Sequence, residues 1–166
     1  FRSAKRYPQY EFIWFGSTPT ALIPPRIRRA VRTQLPNLQF PGYISKEKLM
    51  DAYSGSDLFF FPTLEETEGI VMLEAMAMHT PVLVRDIPVY EGWLTHGKTV
   101  YKGKKQDDFE KLIPAILEKQ LPDLTEEAYR LVGDNSISKI GTVLAEIYAG
   151  LLEEGTYENT NYNRLV

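Results

Sequence analysis

The segment 57–81, DLFFFPTLEETEGIVMLEAMAMHTP, constrains the fold more than any other part of this sequence. It opens with an uninterrupted apolar run, Leu58 to Phe61, which predicts a strand buried on both faces. Pro62 ends that strand because proline cannot donate to a strand ladder. An acidic loop follows, from Leu64 to Glu68, and Gly69 then opens a second apolar run.

In the second run, apolar residues recur at helical spacing, and one carboxylate, Glu74, stands among them. The residues that form this predicted apolar face are Ile70, Leu73, Met76 and Ala77. A buried strand that leads into a helix amino end is where open α/β sheets bind phosphorylated ligands. The segment therefore predicts a ligand site at the start of this helix.

The chemistry of such a site follows from the helix amides and the nearby glutamates. The first amides of a helix have no partner within it, and the helix dipole places partial positive charge there. Gly69 has no side chain, so we expect a phosphate to approach those amides. The Glu74 side chain leans toward the helix amino end, where its carboxylate can accept hydrogen bonds from ligand hydroxyls. Glu66 can do the same for a second ring, whereas Glu65 and Glu68 are explained by solvation or by the helix dipole.

Strands alternate with helices along the rest of the chain, which predicts an α/β fold with a Rossmann-like, mostly parallel sheet and helices on both faces. The predicted strands are 10–16, 37–40, 58–61, 81–85 and 99–100. The predicted helices are 1–7, one that begins at Pro25, 46–53 with Ser45 as its cap, one that begins near Gly69, 108–119, 124–132 and 137–152. We expect one domain over residues 1–152, followed by a polar tail over 153–166. No GxGxxG motif follows any strand, so a nicotinamide or flavin site lacks its main motif.

Composition excludes several classes of site. The chain has no cysteine and only two histidines, so neither a disulfide framework nor a thiolate or histidine metal site is expected. Its formal net charge of -3 is not that of a general nucleic-acid-binding protein. No apolar run approaches the ~20 residues that a membrane span needs.

The helix predicted to begin at Pro25 has one basic face. It carries Arg26, Arg28, Arg29 and Arg32. Two interpretations stay open: a solvated surface, or a surface that contacts anionic lipid headgroups or an acidic neighbouring domain.

The run from Phe61 to Ala77, followed by Thr80-Pro81-Val82, closely resembles the signature of the family-four (group 1) glycosyltransferases of the GT-B fold. The mark of that family is two glutamates separated by seven residues, here Glu66 and Glu74. The similarity extends from the aromatic segment 10–16 to the last helix.

The resemblance implies that this chain is the C-terminal, nucleotide-sugar-binding half of such an enzyme. Glu74 would bind the ribose hydroxyls, and Glu66, which is the implied catalytic residue, would bind the donor hexose. The full implied donor-binding set is Glu66, Thr67, Gly69, Ile70, Val71, Glu74, Tyr43 and Ile44. In this set the amides of residues 69–71 would meet the diphosphate or hexose, and residues 43–44 would lie along the base. The resemblance also implies retention of anomeric configuration, with no cofactor and no metal.

The sequence departs from the family pattern at three points. Thr67-Glu68 replaces the glycine-phenylalanine pair of many relatives, and His79 replaces the glycine that usually follows the signature helix. We expect His79 to end the helix rather than to act in catalysis. The first strand, the Arg/Lys pair that usually grips the diphosphate, and the N-terminal acceptor-binding domain are expected upstream of Phe1. We therefore expect this chain to be inactive by itself.

Two shorter strings, 66–71 and 84–90, are similar to the glycolipid branch from Gram-positive bacteria. That resemblance implies transfer of glucose from UDP-glucose to diacylglycerol or its monoglucosyl derivative. It also implies a cytoplasmic location, peripheral on the inner face of the membrane. Two alternatives remain open: a non-catalytic doubly wound nucleotide-binding module, and half of a nucleotide-sugar epimerase of the same fold.

Overall fold

A computed structural model describes residues 1–16, 20–32 and 35–152. Within these ranges the secondary-structure elements, in chain order, are α1 (Arg2–Arg6), β1 (Phe12–Phe15), a 3-10 turn (Thr20–Leu22), α2 (Pro25–Arg32), β2 (Leu38–Gly42), α3 (Lys46–Ser54), β3 (Phe59–Phe61), α4 (Ile70–Ala77), β4 (Val82–Arg85), a second 3-10 turn (Pro88–Tyr90), β5 (Tyr101–Gly103), α5 (Gln106–Leu117), α6 (Thr125–Asp134) and α7 (Ile137–Leu152). The predicted polar tail, 153–166, lies outside the described residues.

Most element boundaries agree with the sequence predictions to within two residues, but the last strand was misplaced. The prediction put it at 99–100, whereas β5 begins at Tyr101. Thr99 is instead held in a turn, because its hydroxyl accepts from the Thr95 amide at 3.1 Å and its own amide donates to the Thr95 carbonyl at 3.0 Å. Side-chain bonding of this kind competes with a strand ladder.

The strands form two parallel sheets among the described residues. One sheet pairs β1 with β2, and the other has the order β3-β4-β5. In the second sheet Phe60 is opposite Leu83, and Leu83 is opposite Tyr101. No described strand pairs with the outer edge of β3, and its three phenylalanines are only half-buried. Apolar residues pack against both faces of this strand, as predicted, although its phenylalanines stay partly exposed.

Helices cover both faces of the three-stranded sheet, as predicted. Side chains of β3 and β4 alternate between two apolar clusters because successive strand residues point to opposite faces. One face packs against α3, α4 and α6 through Phe59, Phe61, Val82 and Val84. The other face packs against α5 through Phe60 and Leu83, which meet Phe109.

The apolar face predicted for α4 was partly wrong. Met72, Ala75 and Met76 are fully buried, whereas Ile70 is 58% exposed. Helix α4 is apolar almost all the way round, so periodicity could not select the face that the sheet, α3 and α6 cover. These contacts fix α4 on several sides and so hold its amino end in place.

His79 ends α4, as predicted, in a left-handed conformation with φ of 55°. Its imidazole stacks on the ring of Tyr129 of α6 at 4.2 Å and lies 3.4 Å from a Glu126 carboxylate oxygen. These contacts explain why a histidine stands where glycine would fit the backbone more easily.

Two substitutions separate the backbone strain from the side-chain contact. We expect His79→Ala to lower the free energy of unfolding by about 1 kcal/mol, because the ring stack is lost while the left-handed strain remains. His79→Gly should cost clearly less, because it relieves the strain. Urea unfolding of both variants measures the difference. Equal losses in the two variants would show that backbone strain plays no part at this position.

Candidate functional site

The candidate site lies at the carboxyl-terminal end of the three-stranded sheet, where its parallel strands end. Strand β3 ends at Phe61, β4 at Arg85 and β5 at Gly103. The loop after β3 carries the acidic residues and leads to Gly69, the cap residue of α4. The predicted order of strand, acidic loop, glycine and helix is therefore observed. It lies at the carboxyl ends of the strands, where open α/β sheets bind ligands.

Gly69 has a left-handed backbone, with φ of 77° and ψ of 40°. A Cβ atom built at this position would lie 3.2 Å from the Tyr90 hydroxyl oxygen and 3.6 Å from Glu66 Cγ. From the sequence we predicted that Gly69, which has no side chain, leaves space for a ligand phosphate. The structure gives a different reason for the glycine, because protein side chains take up the space that its side chain would fill.

Glu66 and Thr67 lie together in this loop. Glu66 is half-buried, and its Oε1 accepts a hydrogen bond from the Thr67 amide at 3.0 Å. Glu65 and Glu68 are exposed, as expected for solvated acidic residues before a helix. Glu66 Cγ lies 3.6 Å from the point where a Gly69 Cβ would stand, so this glutamate lies beside the glycine.

Ile70 and Val71 are both exposed in the first turn of α4. Helix amides at this position have no acceptor within the helix, and the dipole makes them attractive to an anion. The exposed side chains leave this helix end accessible, so the backbone here can meet a ligand phosphate.

Glu74 is partly buried one turn further along α4. Its Oε2 accepts a hydrogen bond from the Tyr53 hydroxyl of α3 at 3.4 Å. Burial raises the pKa of Tyr53 to about 12, and the charge of Glu74 adds to the rise. Tyr53 therefore stays a protonated donor that holds Glu74 from its buried side. No sequence pattern indicated this role for Tyr53, although it is the single aromatic residue of α3.

Tyr90 also reaches the site, from the 3-10 turn between β4 and β5. It is 0% exposed, and burial together with the charge of Glu66 raises its pKa to about 12. None of the helices and strands predicted from the sequence includes Tyr90, and no pattern around it indicated that it would pack against Gly69.

Three basic residues at this end of the sheet form hydrogen bonds or ion pairs with other residues of the chain. Arg85 joins the strand ends, since its Nε donates to the Pro62 carbonyl at 3.2 Å and its Nη1 to the Lys104 carbonyl at 2.6 Å. The Lys102 and Lys104 ammonium groups lie 3.5 and 3.3 Å from the Asp86 carboxylate. Arg85 thus links the loops after β3 and β5, and the two lysines share the negative charge of Asp86.

Tyr43 and Ile44 follow β2, in the other sheet. Tyr43 is 87% exposed and comes directly after Gly42, which has φ of 81°. No described hydrogen bond links these two residues to the loop after β3. The structure thus brings Glu66, Thr67 and Gly69 together at the start of α4, with Glu74 on the same helix. Residues 43–44 follow β2, where Tyr43 is exposed and Ile44 is partly buried.

A cleft of about 450 Å³ lies at the opposite end of the sheet, where the strands begin. Its lining includes Asp57, Thr80, Thr99 and Asp123. These residues precede the strands or the helix α6, so the cleft is remote from the amino end of α4. The described residues contain no group of three or more side chains suited to a metal ion. None of the described helices is long and apolar enough to cross a bilayer.

Residues 28–133 match the family model described as glycosyl transferases group 1. A processive diacylglycerol alpha-glucosyltransferase from Acholeplasma laidlawii is 41% identical over 150 residues, which are 90% of this chain and 45% of that relative. The chain thus spans less than half the length of that relative.

Solved structures of glycosyltransferases share the fold. The pneumococcal O-GlcNAc transferase GtfA, in complex with UDP and GlcNAc, matches 92% of this chain and 32% of its own with a TM-score of 0.67 at 16% identity. Anabaena Alr3699/HepE, in complex with UDP-glucose, matches 89% of this chain and 52% of its own with a TM-score of 0.64 at 14% identity. The fold is therefore the Rossmann-like α/β fold of GT-B glycosyltransferases, as predicted.

Proposed function

This chain belongs to the group 1 glycosyltransferases, and from that premise we propose that it is the donor-binding domain of a retaining hexosyltransferase. The observation that carries the proposal is the placement of Glu66 and Glu74 around the amino end of α4. Both residues are partly buried, Glu66 in the loop that leads to a helix end that attracts anions and Glu74 in the second turn of that helix. A nucleotide-sugar presents hydroxyls to carboxylates and a diphosphate to helix amides, so it matches both parts of this site.

In the proposed complex, each part of the donor meets a group of matching chemistry. Glu74, held by Tyr53, accepts hydrogen bonds from the ribose hydroxyls, and Glu66 accepts them from the hexose. The amides of Gly69, Ile70 and Val71, with Thr67 beside them, meet the diphosphate or the hexose. Residues 43–44 lie along the base.

The proposed reaction breaks the bond between the anomeric carbon and the diphosphate oxygen and forms one to an acceptor hydroxyl on the same face of the sugar. The acceptor hydroxyl gives its proton to the departing diphosphate oxygen, and the nucleoside diphosphate leaves with the electron pair of the broken bond. Negative charge grows on the leaving diphosphate, where the dipole of α4 stabilises it.

We propose glucose from UDP-glucose as the donor and a diacylglycerol-type lipid as the acceptor. The Acholeplasma relative, which is named for glucosyl transfer to diacylglycerol, supports this choice. The Anabaena structure, which holds UDP-glucose, supports the donor. The resemblance at residues 84–90 points the same way.

The test uses the complete protein that contains this chain, assayed with labelled UDP-glucose and diacylglycerol, with and without a chelator. We expect label in a glycolipid, retention at the anomeric carbon, and the same rate with the chelator, since metal independence stays a prediction. Binding of UDP-glucose without transfer or turnover would favour a non-catalytic module. Conversion to another UDP-sugar would favour an epimerase, and absence of UDP binding would overturn the proposal.

We further propose that α2 contacts an anionic membrane surface on the cytoplasmic side. The helix has four arginines and no acidic residue over Pro25–Arg32. Arg28 donates to the Ile23 carbonyl at 3.2 Å. Arg29 and Arg32 are exposed residues. Ile27 and Val31 are exposed as well, at 44% and 40%. Exposed apolar and basic side chains on one short helix suit the boundary between lipid headgroups and acyl chains.

Removal of two of these charges tests the membrane proposal. Replacing Arg29 and Arg32 with glutamine should weaken binding of the complete protein to phosphatidylglycerol vesicles by about 2 kcal/mol, since each basic residue near such a surface contributes roughly 1 kcal/mol. Vesicle sedimentation measures the change, with phosphatidylcholine vesicles for comparison. A matched control replaces Lys111 and Arg130, which removes the same charge elsewhere. Equal weakening in both variants would indicate a net-charge effect and contradict a contact through α2.

A further inference from the structure

The hydroxyl of Tyr90 is buried and has no hydrogen-bond partner among the described residues. A buried hydroxyl without an acceptor is unfavourable, and most such groups in proteins are paired. Tyr90 is otherwise well packed, since its ring meets Trp93 edge-on at 5.9 Å between centroids. Packing alone would be satisfied by phenylalanine at this position.

The hydroxyl is directed at the candidate site. It lies 3.2 Å from the point where a Gly69 Cβ would stand, and Glu66 Cγ lies 3.6 Å from the same point. Tyr90 and Glu66 therefore approach Gly69 from neighbouring directions. The charge of Glu66 adds to the effect of burial in raising the pKa of Tyr90.

Glu66 has capacity for another donor. An ionised carboxylate has about four acceptor positions, and the Thr67 amide uses one position on Oε1. Rotation about the Glu66 side-chain bonds can bring a carboxylate oxygen to the Tyr90 hydroxyl because both groups lie against the same glycine.

We propose that Tyr90 is a positioning residue: its hydroxyl donates to the Glu66 carboxylate and fixes its direction when a nucleotide-sugar binds at the start of α4. The role rests on the proposed function, in which Glu66 meets the donor hexose. A carboxylate held from behind by a buried donor keeps its outward acceptor positions for the sugar hydroxyls, at no cost in ordering when the transition state forms. Only glycine at position 69 leaves room for this contact.

The test compares Tyr90→Phe with Tyr101→Phe in the complete protein. Tyr101 is a matched control because it is also buried, at 5% exposure. Its hydroxyl, however, donates to the Pro122 carbonyl at 2.6 Å, away from the candidate site. We expect Tyr90→Phe to lower kcat by about tenfold or more with little change in KM, because the lost contact acts on the transition state. Its unfolding midpoint should be unchanged or raised. Tyr101→Phe should lower the midpoint and leave kcat unchanged.

A double substitution shows whether Tyr90 acts through Glu66. In the Glu66→Ala background, Tyr90→Phe should change kcat by less than about twofold, because its partner is already gone. UDP-glucose affinity provides the same comparison if turnover is too low to measure. A wild-type kcat in Tyr90→Phe, or an equal loss with and without Glu66, would overturn the inference while the proposed function stands. Failure of the wild-type protein to bind or transfer UDP-glucose would overturn both.

Discussion

Replacing Glu74 with alanine is expected to lower kcat/KM of the complete enzyme by about a hundredfold, the largest loss that we predict for a single side chain. Hydrogen bonds to a charged group contribute about 1.5–3 kcal/mol each, and Glu74 would lose those to the ribose hydroxyls. The fold should remain, because the contact with Tyr53 is long at 3.4 Å and its loss should cost less than about 1 kcal/mol. Steady-state kinetics and urea unfolding on the same preparation separate the two effects.

Two control variants sharpen this prediction. Glu74→Gln keeps an acceptor for Tyr53 but removes the charge, so we expect an intermediate loss of activity. Glu65→Ala removes an exposed carboxylate from the acidic loop, and we expect it to keep wild-type kinetics. Wild-type activity in Glu74→Ala would remove the role that we give to this residue. A similar loss in Glu65→Ala would show that the loop acts through its charge as a whole.

Gly69→Ala is expected to lower kcat/KM by about tenfold, for a geometric reason. The new methyl group would lie 3.2 Å from the Tyr90 hydroxyl, so that hydroxyl or the start of α4 must shift by a few tenths of an ångström, whereas 3.6 Å to Glu66 Cγ is an ordinary contact. Misplacement by about 1 Å near reacting groups can cost about a hundredfold in rate, so this smaller shift should cost about tenfold. The left-handed backbone adds a stability loss of roughly 1–2 kcal/mol.

Gly92→Ala is the matched control for this substitution. Gly92 also has a left-handed backbone, with φ of 84°, but a Cβ there would meet no atom within 4 Å. We expect Gly92→Ala to lose a similar amount of stability while its kinetics stay near wild type. Kinetics and unfolding midpoints of the pair therefore distinguish strain from displacement of the site. Equal kinetic losses in both variants would show that strain, rather than contact with Tyr90 and Glu66, explains the effect at Gly69.

Local pattern was enough for much of the fold. The apolar runs, the breakers Pro62 and Gly69, and the cap Ser45 are properties of short segments, and the structure has β3, α3 and α4 where they indicate. The same local order placed the glutamate pair at a helix amino end. The family resemblance, which the family match confirms, rests on those residues as well.

Long-range packing decided what the local pattern could not. The buried side of α4 depends on which neighbours cover it, and an apolar helix offers no periodicity that selects among them. Tyr53 donates to Glu74, and Tyr90 packs against Gly69, in each case from 21 residues away in sequence, and nothing in either segment indicates which residue it will contact. The glycine at 69 illustrates the division between the two. The sequence by itself determined that a glycine starts α4 between two glutamates. Only the tertiary structure decided that its missing side chain makes room for Tyr90. The reason is that this contact forms only when the turn after β4 packs against the start of the helix.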